Sequence, residues 1–378
     1  MKDGPLPNSL TAWAKAKLAA LDAAARRRRP RTVAADGAMV QVDGRWLVNF
    51  SANDYLGLAQ HPRLIAAAQA AAARHGTGAG ASPLVTGRHP LQAQLEAALA
   101  SAKGRPAALV FPAGYQVALT VVPALAGPAD RVFIDALAHN CLHMGARLSG
   151  AAVQMFAHND VAALAAGLAQ ASAARQTLIL TDTVFSMDGN LAPLPALADL
   201  AAHHHAWLLA DDAHGTGVVD VPGLHRCALV TGTLSKALGA QGGFVAADGP
   251  VIELLRNRAR GHVYSTALAP PAAAAALEAL ALAQEQPQRR AQALALARQF
   301  CRLLGLPDPV SPIVPVILGR ETAALDAQAA LEAAGHLVVA IRPPTVPEGT
   351  ARLRVSFSAA HSPVQVDALA RALQEHLA

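Results

Sequence analysis

Short apolar runs recur through the middle of the chain, and they decide what it can fold into. They are Ala107 to Phe111, Arg131 to Asp135, Ala152 to Phe156, Thr177 to Thr181, Trp207 to Ala210, Ala228 to Thr231 and Gly243 to Ala246. Helical stretches separate several of them. Strands that are apolar throughout, rather than alternately polar, are buried on both faces. With helices between them they predict an α/β unit built on a mostly parallel sheet. Ligands of such sheets bind beyond the carboxyl ends of the strands, so the polar residues directly after each run are the candidates for function.

The flanking regions read differently. Asn8 to Arg29 predicts a lone amphipathic helix. Met39 to Val42 and Trp46 to Phe50 predict two strands around the Asp43-Gly44 turn. Pro62 to Arg74 and His89 to Ala102 read as helices, with a glycine-rich loop at Gly76 to Ser82 between them. Beyond Pro271 two alanine-rich helices, to Gln284 and from Gln288 to Leu304, lead into a smaller α+β unit. Its elements are a strand (Ile313 to Leu318), a helix (Ala323 to Ala334), strands Val338 to Ile341 and Ala351 to Phe357, and a helix from Pro363 to Leu377. The division expected is 1–50 for the N-terminal helix and strands, 51–270 for a large domain, and 271–378 for the linking helices and small domain.

Composition narrows the function class. Hydrophobic residues make up 53% of the chain and charged ones 15%, which supports a large core. The net charge of +5 is mild and is concentrated in Arg26 to Arg29 and Arg31, where a solvated helix end is the first reading and an anion site the second. A nucleic-acid binder would need a broader basic face, and stacking aromatics if it held single strands. Cys141, Cys227 and Cys301 are widely spaced, without a CxxC, and read as reduced thiols in a cytoplasmic protein. Met1 to Leu21 has no apolar core of a signal peptide. Pro106 to Ala129 is uncharged, but its prolines and Gly114 suit a buried strand and helix better than a membrane span.

Three clusters carry chemistry. Lys236, in Thr231-Gly-Thr-Leu-Ser-Lys-Ala-Leu-Gly239, follows a strand and has small, hydroxylic neighbours. Such a lysine suits an imine with a carbonyl cofactor, although taken alone it reads better as a surface lysine in a Gly/Ser loop. Asp211 ends another strand in Asp211-Asp-Ala-His214-Gly. A carboxylate there can keep a pyridine nitrogen protonated, and His214 can reach the same ring; a turn or a metal pair is the other reading, though no further ligands lie at metal spacing. Gly114-Tyr115 stands between a strand and a helix, where the backbone can approach a phosphate, or where a helix simply begins with a core tyrosine.

Taken in order, Gly114-Tyr115, His139, Ser186-Met-Asp-Gly189, Asp211-Asp-Ala-His214 and Thr233-Leu-Ser-Lys236 resemble the α-oxoamine synthases. The likeness runs from Asn49-Phe-Ser-Ala-Asn-Asp-Tyr-Leu-Gly57 to Ser358-Ala-Ala-His361. It implies the aspartate-aminotransferase-like fold (fold type I), pyridoxal 5′-phosphate (PLP) as cofactor, no metal, and a homodimer. It further implies that Lys236 forms the imine and moves the α-proton, that Asp211 holds the ring nitrogen, and that His139 stacks on the ring. Ser186 and His214 would bond the ring hydroxyl, and Thr233 with the Gly114-Tyr115 backbone would hold phosphate or ring. Thr266, in Tyr264-Ser-Thr266, would reach the phosphate of a neighbouring subunit. Arg354 would bind the amino-acid carboxylate, Thr345 would lie near the acyl group, and Arg26 or Arg27, with Arg342, would meet an acyl carboxylate. Within the family, Arg342-Pro-Pro-Thr-Val-Pro347 is most similar to the member of biotin synthesis that joins L-alanine to a pimeloyl thioester, on coenzyme A or a carrier protein. A glycine C-acetyltransferase is the nearest rival. Where many members have asparagine shortly after the Gly-aromatic pair, this chain has Ala118.

Overall fold

The computed structural model describes residues 9–170 and 175–377. Asn8, the expected start of the first helix, lies outside them. In chain order the strands are β1 (Val33–Asp36), β2 (Met39–Val42), β3 (Arg45–Asn49), β4 (Ala107–Phe111), β5 (Arg131–Asp135), β6 (Ala152–Phe156), β7 (Thr177–Asp182), β8 (Trp207–Asp211), β9 (Leu229–Thr233), β10 (Gly243–Ala247), β11 (Ile313–Gly319), β12 (His336–Leu337), β13 (Ala340–Ile341) and β14 (Ala351–Ser356). The helices are α1 (Leu10–Ala23), α2 (Pro62–His75), α3 (Pro90–Ala102), α4 (Gly114–Leu125), α5 (Asn140–Ser149), α6 (Val161–Gln170), α7 (Leu194–His203), α8 (Gly249–Arg258), α9 (Arg260–Val263), α10 (Pro270–Glu285), α11 (Gln288–Leu304), α12 (Glu321–Ala333) and α13 (Pro363–Leu377).

The apolar runs assemble into one seven-stranded sheet in the order β4-β10-β9-β8-β7-β5-β6. It is parallel except for β10, which pairs antiparallel with β4 and β9. Successive side chains of a strand point to opposite faces, and the core divides accordingly. Val110, Leu208, Ala210 and Phe244 pack with α2, α3, α6, α7 and α10 on one face. Leu109, Phe111, Leu209 and Val245 pack with α4, α5 and α8 on the other. The uncharged stretch from Pro106 is β4 followed by α4, with Pro123 inside the helix. Among the described residues no helix is long and apolar enough to cross a membrane.

The C-terminal unit holds a three-stranded sheet, β11-β14-β13, under α11, α12 and α13, with Phe50, Phe300 and Phe357 at its centre. The strands of residues 33–49 belong to a four-stranded sheet completed by β12, which pairs in parallel with β3. Val338 to Ile341 was expected as one strand. Instead β12 and β13 join different sheets, and the chain crosses between them at Val338, which is buried in the core. The first helix is also shorter than expected. It ends at Ala23, Ala25 takes a left-handed conformation (φ 52°), and Arg26 to Arg29 run on without helix. A helical turn would have stacked those like charges on one another.

One buried contact gives the small unit a pH dependence. His361 stacks on Phe50 at 4.3 Å; its Nδ1 accepts from the Ser358 amide at 3.0 Å, and its Nε2 donates to Asn49 O at 3.0 Å. Burial lowers its pKa to about 4, only partly offset by the Asn49 carbonyl. The unfolded chain therefore takes up a proton near pH 6.5 that the folded chain refuses until about 4. Stability contributed by the neutral ring is complete above the unfolded value and is lost as pH falls through this window. The loss is roughly 3 kcal/mol, from about 2.5 pH units at 1.36 kcal/mol each. Urea midpoints measured from pH 7 to 4.5 should fall more steeply for the wild type than for His361→Phe. Parallel curves for the two proteins would contradict this account.

Candidate functional site

The carboxyl ends of the parallel strands converge on one place. β7 ends in Asp182, β8 in Asp211 and β9 in Thr233, and the loop after β5 delivers His139. Lys236 follows β9 on a tight turn closed by Leu234 N to Gly242 O and Gly239 N to Lys236 O. Gly239 is required there: its φ is 59°, and a side chain would strike the Ala59 backbone at 2.4 Å.

Lys236 Nζ lies 2.8 Å from His214 Nε2, and His214 Nδ1 lies 2.7 Å from the buried Tyr55 hydroxyl. Burial pushes the lysine's pKa down, against the pull of Asp211 and Asp182. That is the direction a nucleophilic amine needs. Burial, followed by the charges of Lys236 and Arg354, pushes His214 well below its ordinary value and keeps it neutral. Asp211 is buried, accepts from the Ala213 amide at 3.0 Å, and has the Cys141 thiol 3.6 Å from its other oxygen. His139 caps α5 and donates its amide to Asp182 at 3.2 Å, and its ring stands edge-on to Tyr115. Burial and then the neighbouring Asp211 push the pKa of Asp182 well up.

The cavity above these groups, about 380 Å³, is lined by Gly114, His139, Asp211, Thr233 and Lys236 among others. At its edge α4 begins without a side-chain cap, leaving first-turn amides free for an anion. A Cβ on Gly114 would stand 2.7 Å from Thr233 Oγ1, so only glycine leaves this cradle open. A buried amine, a carboxylate in the floor and an uncapped helix start around a space of this size fit PLP. Lys236 would hold its carbonyl carbon, Asp211 its ring nitrogen, and Gly114 to Tyr115 with Thr233 its phosphate.

A second cavity of about 300 Å³ continues from Lys236 and His139 to Ser186, His214 and Arg354. Arg354 is buried on β14. It donates to Ser186 O, to Ser356 Oγ at 2.7 Å and to Tyr55 Oη at 3.1 Å. From His139 and Ser186 a third space of about 610 Å³ runs to Thr345 and Arg28, and a fourth of about 570 Å³ is walled by Arg27, Arg28, Arg29, Arg31 and Arg342.

The structure thus brings Gly114, Tyr115, His139, Ser186, Asp211, His214, Thr233, Lys236 and Arg354 together. Thr266 is exposed and lies outside these cavities, next to the exposed Tyr264. The arginines separate by partner. Arg26 binds Glu348 at 2.7 Å and Glu321 at 3.3 Å, and Arg27 binds Asp22 at 2.6 Å. Arg28, which the sequence did not single out, donates to Thr345 Oγ1 at 2.6 Å and lines both outer cavities without an acidic partner among the described residues. Arg342 is held by Ala25 O, and burial and then Arg28 push its pKa down against the pull of Glu321, which Arg26 also binds. Sequence reasoning also missed Tyr55, Asp182 and Cys141. Only Tyr55 had a signal, as part of the Asn49 to Gly57 segment.

The Aminotransferase class I and II profile matches residues 45–373. An 8-amino-7-oxononanoate synthase of Methylorubrum extorquens is 58% identical over 371 residues, 97% of this chain and 96% of its own. One from Methylobacterium radiotolerans is 57% identical over 369 residues, 97% and 98% of the two chains. Among solved structures, the serine palmitoyltransferase of Sphingomonas wittichii superposes with a TM-score of 0.91 at 28% identity, covering 99% of this chain and 98% of its own.

Proposed function

The chain belongs to the class I and II aminotransferase family, and we propose that its site joins L-alanine to a pimeloyl thioester, giving 8-amino-7-oxononanoate, CO₂ and free thiol. It is a PLP-dependent acyltransferase of biotin biosynthesis. Its substrates are an amino acid and an acyl thioester. The observation that carries the residue assignment is the continuity of the cavities, from a buried amine through a buried arginine to an outer space walled by Arg28 and Arg342.

Bound PLP supplies the electron sink that makes an amino acid's α-proton acidic. Lys236 takes that proton. Asp211 would keep a proton on the ring nitrogen, and His139 would cover the ring. His214 and Ser186 orient the ring hydroxyl. Arg354 grips the alanine carboxylate and fixes the bond that later breaks as CO₂ leaves. The α-carbon of alanine bonds to the thioester carbonyl, and the C–S bond opens to release thiol. Thr345 lies along the acyl path. A distal carboxylate that leaves water needs a cation, which the group of Arg26, Arg27 and Arg342, widened to include Arg28, supplies. Exposed Tyr264, two residues before the exposed Thr266, supports a homodimer in which Thr266 serves the partner's phosphate. A soluble coenzyme A or carrier-protein thioester as donor points to the cytoplasm.

Thiol release measured with a panel of amino acids and acyl donors tests the reading. L-Alanine with pimeloyl-CoA or pimeloyl carrier protein should be fastest. Glycine should retain some turnover, since one methyl discriminates by only about 1–3 kcal/mol. Faster release from acetyl-CoA with glycine would replace the reading with an acetyltransferase, and a fully active monomer on sedimentation would remove the shared site.

A further inference from the structure

Tyr55 lies in the Asn49 to Gly57 segment, which the proposed chemistry leaves without a role. Its ring is fully buried, and the backbone around it is fastened to the end of the chain: Ala359 N donates to Tyr55 O at 2.8 Å, and Ser358 Oγ donates to Asp54 O. Its hydroxyl meets three groups. Arg354 Nη2 donates to it at 3.1 Å, Asn53 Oδ1 lies 3.1 Å away, and His214 Nδ1 lies 2.7 Å away.

A phenol has one proton to give and two lone pairs to fill. Arg354 can only donate, so it occupies one lone pair. Asn53 Oδ1 can only accept, so it takes the hydroxyl proton. The remaining lone pair then faces His214 Nδ1, which must carry the hydrogen. This is the arrangement that satisfies all three contacts. The alternative, with the hydroxyl donating to Nδ1, leaves the 3.1 Å contact to Asn53 Oδ1, at the wall of the 300 Å³ cavity, without a donor between the two oxygens. His214 is neutral and has a single ring proton. Placing it on Nδ1 leaves Nε2 bare, and Nε2 is the atom 2.8 Å from Lys236 Nζ.

We propose that Tyr55 is a positioning residue that fixes His214 in its Nδ1–H tautomer, with Nε2 as an acceptor toward Lys236, and that anchors Arg354 by the same oxygen. One hydroxyl thereby ties the group that grips the substrate to the group that orients the amine. The Arg354 half of the proposal rests on that arginine's role as the carboxylate ligand; the tautomer does not. Tyr55 acts on the ring nitrogen remote from the cavity, so the assignment is independent of what Nε2 faces once PLP is present.

The test uses holoenzyme labelled with ¹⁵N-histidine, the His214 ring being identified by its loss in His214→Asn. The wild type should show a protonated Nδ1 and a bare Nε2. Tyr55→Phe removes one oxygen and keeps the ring packing. It should move the ring proton toward Nε2 and raise KM for L-alanine about tenfold, with KM for pimeloyl-CoA changed less than about twofold. A wild-type ring protonated on Nε2 overturns the proposal. So does a folded Tyr55→Phe protein with the wild-type tautomer and alanine KM. If that variant does not fold, the wild-type tautomer alone decides. If L-alanine proves not to be a substrate, the substrate reading fails while the tautomer measurement still stands.

Discussion

Lys236→Ala should lose the visible absorbance of bound PLP and all measurable condensation, a fall of at least about 10³-fold. Lys236 is the one lysine among the residues lining the 380 Å³ cavity, so no second amine stands ready to hold the cofactor. Lys103 lies behind Asp212 and opens on a different cavity. The substitution leaves the fold in place, because the turn around Lys236 is held by backbone bonds at Leu234, Gly239 and Ala240 rather than by its side chain. It also removes the amine beside His214, so the change is confined to that amine and its immediate surroundings. Borohydride treatment followed by mass analysis checks the assignment. The wild type should be fixed with PLP at Lys236 and the variant should not. A variant reduced at full stoichiometry would mean that another amine carries the cofactor. Lys236→Arg should be equally inactive, since a guanidinium stays charged and does not replace a desolvated primary amine.

Much of the sheet was legible because its strands are apolar on both faces, a signal that survives without knowledge of partners. The ends of β7, β8 and β9 came within two residues of expectation for the same reason. Lys236, Asp211 and His214 were legible as charged or titratable residues placed directly after such strands. Other features depended on contacts distant in sequence. The break between β12 and β13 follows from two sheets competing for one short segment, and nothing within Val338 to Ile341 announces it. Arg28 differs from Arg26 and Arg27 only in what it meets: those two find acidic partners at Glu348 and Asp22, while Arg28 turns to Thr345 at the far end of the chain. Tyr55 reads as an ordinary core tyrosine until His214, Arg354 and Asn53 are seen around its hydroxyl. Asp182 reads as the polar end of a strand, and its elevated pKa arises from burial next to Asp211 on the neighbouring strand.

Lys103→Met should be strongly destabilising, by about 3–5 kcal/mol. Lys103 Nζ sits 2.5 Å from Asp212 Oδ2, with 8% of the lysine side chain and 1% of the aspartate side chain exposed. Asp212 is held further by Thr183 Oγ1 at 2.6 Å and Thr216 Oγ1 at 2.9 Å. A Cβ on Gly215 would come within 2.1 Å of the carboxylate, which is why the turn toward the catalytic floor carries glycine there. The pair therefore joins the end of α3 to the turn that carries His214. Removing the lysine leaves a buried carboxylate with two hydroxyl donors and no counter-charge, and that residual charge is the larger part of the cost. A cavity of about 760 Å³ lies against both residues and can admit water to the stranded carboxylate, which favours the lower end of the range. Because the penalty comes from the unpaired charge, Lys103→Met combined with Asp212→Asn should recover most of the loss. Urea unfolding of the wild type, both single variants and the double variant measures this directly. A single-variant cost below about 1 kcal/mol, typical of an exposed pair, or a double variant as unstable as the sum of the two singles, would show that the pair does not act as a buried unit.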